Sequence, residues 1–109
     1  MKLIIAVVQK DDASALSSTL IENGFYVTKL STTGGFLKIG NVTLMIGAKE
    51  NEVDEIKNII KNICKTREQI ISTPVTYSYT EGADVACNVN VKVGGATIFV
   101  LDVDEFEKF

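Results

Sequence analysis

Leu3-Ile4-Ile5-Ala6-Val7-Val8 is an uninterrupted apolar run closed by Gln9. A strand that does not alternate polar with apolar residues must be covered on both faces, so this run predicts a central strand rather than an edge. It is too short for the core of a signal peptide or for a membrane span, and a cytoplasmic chain is expected. The sequence has 109 residues. That length predicts one domain spanning residues 1–109, with little apolar surface to spare, which favours self-association.

Beyond this run the chain alternates between helical and extended patterns. Asp11 and Asp12 suit a helix start, Ala13, Leu16, Leu20 and Ile21 form an apolar stripe, and Asn23-Gly24 provides a left-handed exit. Phe25 to Leu30 reads as a second strand, with Phe25, Val27 and Lys29 on one side and Tyr26, Thr28 and Leu30 on the other. A loop over Thr32–Gly40 leads to a third strand, Val42 to Gly47. Asn51 is expected to cap a second helix with Asp54 reaching back to it, and its stripe is Val53, Ile56, Ile59, Ile60, Ile63 and Cys64. Lys57, Lys61 and Lys65 recur at four-residue spacing as a solvated face. Glu68 to Tyr79 begins as a strand and becomes a loop near Gly82. Val85, Cys87, Val89, Val91 and Val93 then alternate, and Gly94-Gly95 signals a tight hairpin into Ala96–Val103. The order predicts an α+β, ferredoxin-like βαββαβ fold with an extra C-terminal strand.

Composition removes several functions. The chain has no histidine, so the commonest general base and metal ligand is missing, as are all histidine-activated nucleophiles. Its acidic pairs sit at helix starts or in the tail, where capping and solubility account for them. No catalytic residue and no metal site are therefore assigned. A net charge of −3 with scattered Lys and Arg opposes nucleic-acid binding. Cys64 and Cys87 lack a metal-ligand spacing and are expected to be reduced packing residues.

Binding chemistry concentrates in Thr32-Thr33-Gly34-Gly35-Phe36-Leu37-Lys38-Ile39-Gly40-Asn41. Phe36 beside two glycines needs a cover, which either a neighbouring subunit or a stacked purine can supply. Leu37 offers a second apolar wall. Asn41 presents a donor and an acceptor in one plane, matching an adenine edge, and equally suits a turn before a strand. Gly34-Gly35 lacks the further residues of a phosphate-binding loop.

These residues, together with Asn23-Gly24-Phe25, Val27-Thr28-Lys29-Leu30, Gly40-Asn41-Val42-Thr43, Met45-Ile46-Gly47, Arg67-Glu68-Gln69 and Val93-Gly94-Gly95-Ala96-Thr97-Ile98-Phe99-Val100, resemble the PII-like cyclic di-AMP receptor family. The similarity spans nearly the whole chain apart from about residues 72–88. It implies a homotrimer that binds cyclic di-AMP between subunits, has no enzymatic activity, needs no metal and signals to a protein partner that the sequence does not name. Carried over by resemblance, the ligand-binding positions are Thr28, Gly35, Phe36, Leu37, Asn41, Gly47 and Phe99. Tyr26 and Lys108 stand where the family usually has arginine and glutamine. They are further candidates, Tyr26 for stacking and Lys108 for attracting phosphate. Two alternatives stay open: a PII-like sensor of ATP or another adenine nucleotide, and a structural trimer related to divalent-cation tolerance proteins.

Overall fold

In the computed structural model the N-terminal run forms β1 (Lys2–Gln9), followed by α1 (Lys10–Glu22), β2 (Tyr26–Leu30), β3 (Asn41–Ala48), α2 (Val53–Cys64), β4 (Arg67–Thr76), β5 (Asp84–Val93) and β6 (Ala96–Asp102). A single 3-10 turn, Glu50–Glu52, precedes α2. The structure describes residues 1–30, 40–76 and 84–109, with 71–76 and 84–89 described by backbone alone. Strands β2, β3, β1 and β6 form one antiparallel sheet in that order, and β4 pairs with β5 in a separate two-stranded arm. This is the ferredoxin-like βαββαβ arrangement. The arm is inserted after α2, and the C-terminal β6 completes the main sheet beside β1.

One face of that sheet carries the core. Ile4, Ala6 and Val8 of β1 and Leu44, Ile46 and Ala48 of β3 are buried against Leu16 and Leu20 of α1 and Ile56, Ile60 and Cys64 of α2. Each fully buried Leu or Ile contributes about 1.5–3 kcal/mol. The second face of β1 differs from expectation: Leu3, Ile5 and Val7 are only half-buried, because both helices pack on one side of the sheet. The central position of β1 is as predicted; its cover within the chain is one-sided.

Helix ends are set by means only partly visible in the sequence. At the end of α1, Gly24 adopts φ 86. The Phe25 N–H donates to the Leu20 carbonyl at 3.0 Å and the Gly24 N–H to that of Ile21 at 3.0 Å, a Schellman closure with Phe25 packed into the core. The expected cap at Asn51 does not form. Asn51 lies inside the 3-10 turn, and the Glu52 carboxylate accepts the Lys49 N–H at 2.9 Å instead. Asp11 and Asp12 fall in the first turn of α1, which starts after Gln9 without a side-chain cap. Ile21 is 60% exposed, so the core-facing stripe of α1 is narrower than predicted. Gly94 and Gly95 take positive φ, 87 and 94, yet they close no hairpin. They carry the chain from the arm into the main sheet, since β5 and β6 belong to different sheets.

Candidate functional site on the open sheet face

Antiparallel register places partner residues on the same side of a sheet, which defines the uncovered face row by row. Tyr26, Gly47, Leu3 and Leu101 form one row, and Thr28, Met45, Ile5 and Phe99 form the next. Further along, Asn41 pairs with Gln9 at the far end of β1. Thr28, Gly47, Phe99, Asn41 and Tyr26 therefore all lie on the face that the helices leave open. Gly35, Phe36 and Leu37 lie outside the described residues.

A cleft of about 610 Å³ opens at the Tyr26 end of this face. It is lined by Leu3, Tyr26, Thr28 and Met45 of the sheet and by Phe106 and Lys108 of the C-terminal segment. Tyr26 is 84% exposed, its ring presented to solvent instead of the core. The tail is aligned by the Val103 N–H donating to the Met1 carbonyl at 3.2 Å and by an ion pair between Lys2 and Asp102. The hydrogen bond to Asp102, and then its charge, raises the Lys2 pKa, while Lys2 lowers that of Asp102. A mostly apolar lining that also includes Lys108 suits a flat base carrying phosphate.

Gly47 is the informative residue of this cleft. It is not among the glycines with positive φ, so its backbone places no demand for glycine. A Cβ added there would meet nothing within 4 Å, so packing within the chain makes no demand either. A strand glycine with neither reason leaves room for something outside the chain.

The structure brings together Tyr26, Thr28, Gly47 and Lys108, and sets the other two described candidates apart. Asn41 stands six residues from Gly47 on β3, roughly 20 Å along the strand. It lines a separate polar cavity of about 510 Å³ with Gln9, Thr66, Gly94 and Thr97. Phe99, 43% exposed, sits on β6 at the opposite edge from Thr28 and does not line the 610 Å³ cleft. Met45 and Phe106 belong to the cleft but were not singled out from sequence as ligand-facing. The signal for Met45 was its alternation with buried Leu44 and Ile46, which puts it on the open face.

The full length of the chain, residues 1–109, matches the family model described as cyclic-di-AMP receptor. The chain belongs to the PII-like cyclic di-AMP receptor family. A related protein, the nitrogen fixation nifHD region GlnB-like protein 1 of Methanothermococcus thermolithotrophicus, is 30% identical over 97 residues, covering 73% of this chain and 92% of that protein. Among solved structures, a functionally unknown protein from Pediococcus pentosaceus ATCC 25745 is 48% identical, with a TM-score of 0.79 over 99% of this chain and 96% of the other.

Proposed function

We propose that this chain is a non-catalytic cytoplasmic receptor that binds cyclic di-AMP between the subunits of a homotrimer and relays occupancy to a protein partner. In this reading residues 1–109 act as one PII-like unit. The observation that carries it is Gly47, a strand glycine that neither backbone nor packing requires, in a cleft with Tyr26, Thr28 and Lys108 on the uncovered face. Leu3, Ile5 and Val7 supply an apolar seam for neighbouring subunits, and Phe99 enters the site across that seam. Phe36 and Leu37 hold a base by stacking and apolar contact, Asn41 hydrogen-bonds polar edges, and the Gly35 amide faces ligand oxygens. Tyr26 adds a stacking surface, and Lys108 adds a charge for phosphate.

In this reading Asn41 and Gly47, far apart on one strand, serve the ligand from neighbouring subunits. A second reading is that an adenine mononucleotide such as ATP occupies the 610 Å³ cleft alone. Isothermal titration with cyclic di-AMP, ATP and cyclic di-GMP separates the readings. Cyclic di-AMP is expected to bind tightest. Absence of heat with cyclic di-AMP, and no competition by it, ends the first reading, while preference for ATP establishes the second. Phe36→Ala and Asn41→Ala are each expected to weaken cyclic di-AMP binding, Phe36→Ala by about 1–3 kcal/mol if a base stacks on the ring. Unchanged affinity in both removes these residue assignments.

A further inference from the structure

We propose that the junction between β1 and α1, residues 9–12, is the mechanical joint linking Gly40 and Asn41 at the start of β3 to the β4–β5 arm, with Gln9 as its positioning residue. The inference rests on the proposed receptor function and names how occupancy at Asn41 reaches a different part of the molecule.

Three residues of this junction, Gln9, Lys10 and Asp12, grip three distant points of the chain. The Gln9 backbone pairs with Asn41 at the end of the β1–β3 ladder, and the neighbouring Lys10 N–H donates to the Gly40 carbonyl at 2.7 Å. The Gln9 side-chain oxygen accepts the Gly94 N–H at 2.7 Å, where the arm returns to the body. Asp12, 6% exposed, accepts from Arg67 at 2.8 Å and 3.4 Å, where the arm leaves it. The Asp12 hydrogen bond, and then its charge, raises the Arg67 pKa. The Gly95 N–H to the Cys64 carbonyl completes the root.

The root is also tightly fitted. A Cβ at Gly94 would lie 2.6 Å from the Lys65 carbonyl oxygen and 2.7 Å from Arg67 Nη1, on top of a φ of +87. With so little room there, a displacement of Gln9 is expected to carry through Gly94 into the direction of β5. A two-stranded ribbon has little stability of its own, so its setting depends on where its two ends are anchored. Asn41 and Gly94 line the same polar cavity with Gln9 between them. Ligand that fixes Asn41 fixes the end of β1, and through the Gln9 amide it fixes the arm.

Hydrogen exchange of the whole protein, with and without saturating cyclic di-AMP, tests this. Wild-type amides in 67–76 and 84–93 are expected to exchange at least about fivefold more slowly with ligand, the lower range of ordinary site–site coupling. Gln9→Leu keeps the bulk but leaves the Gly94 N–H without its acceptor, and is expected to lose that slowing while titration still shows binding. Gln9→Glu restores an acceptor and is expected to recover it, which a purely structural role for residue 9 does not predict. The joint is overturned if Gln9→Leu retains the full ligand-dependent slowing, or if wild-type protein binds cyclic di-AMP with no change in the arm. Should Gln9→Leu fail to fold, the wild-type measurement and Arg67→Met decide by the same criterion. A wild type that shows no binding heat refutes the receptor reading instead, so the two failures are distinct.

Discussion

Single residues divide into those the fold needs and those it does not. Gly47 has ordinary strand backbone and open space before it, so Gly47→Val is expected to leave thermal stability within about 0.5 kcal/mol, or raise it, since β-branched residues favour strands. The same substitution is expected to weaken cyclic di-AMP binding at least tenfold in titration; unchanged affinity removes Gly47 from the site. Cys64 is the opposite case. It is fully buried at the C-terminal end of α2, and burial first, with the Asp12 charge second, pushes its thiol from 9.0 up to about 11. A raised folded-state pKa means that the native state holds the proton more tightly. The associated stability is complete below pH 9.0 and is lost as pH rises toward about 11. Urea midpoints measured from pH 8 upward are expected to fall over that window, and Cys64→Ala should flatten the fall while lowering stability at neutral pH. An equal slope in Cys64→Ala assigns the decline to other groups.

At the level of elements, the arm root shows how tertiary placement overrides local logic. Asp12 is well placed by sequence to favour the start of a helix, and it does lie in the first turn of α1. Its carboxylate is nonetheless spent on Arg67, which is 55 residues away in the chain. Removing one partner leaves the other charge without compensation. Because the Arg67 side chain is 43% exposed, water replaces part of the loss, and Asp12→Asn is expected to destabilise the protein by about 1–3 kcal/mol, below the range for a fully buried pair. Urea unfolding checks this; a change under about 0.5 kcal/mol shows that the pair contributes orientation without stability. The same elements show where sequence reading succeeds. The 3.6-residue stripe of α2 placed Ile56, Ile60 and Cys64 in the core, because helical period and burial are directly coupled. The tight hairpin inferred at Gly94-Gly95 was not found, because positive φ specifies a sharp change of direction and says nothing about which strand becomes the neighbour.

The whole molecule measures 68 × 27 × 19 Å, with a radius of gyration of 18.8 Å. A compact domain of this length would have a radius of about 13 Å, and the excess comes with the arm. Its sheet leaves Leu3, Ile5, Val7, Met45 and Phe99 on a face with no helix above it, a large apolar surface for a protein of 11.9 kDa. Assembly through this face is the physical counterpart of the proposed trimer. Light scattering on the purified protein is expected to give three times the chain mass, and Ile5→Asp, which puts a charge at the centre of the face, is expected to shift it to monomer and abolish cyclic di-AMP binding. A monomeric wild type, or an Ile5→Asp variant that stays trimeric, excludes this face as the seam. Among the described residues no helix is long and apolar enough to cross a membrane.

Residue order alone determined the helical and extended segments, the central place of β1, and the set of side chains from which a binding site could be built. Those depend on local period and side-chain chemistry, which each segment carries with it. Tertiary structure alone decided that the N-terminal run is covered on one face, that Asp12 meets Arg67, that the arm stands apart from the main sheet, and that Asn41 lies far from Gly47. These depend on which distant segments become neighbours, and an apolar or charged side chain records its need for a partner without recording which partner meets it.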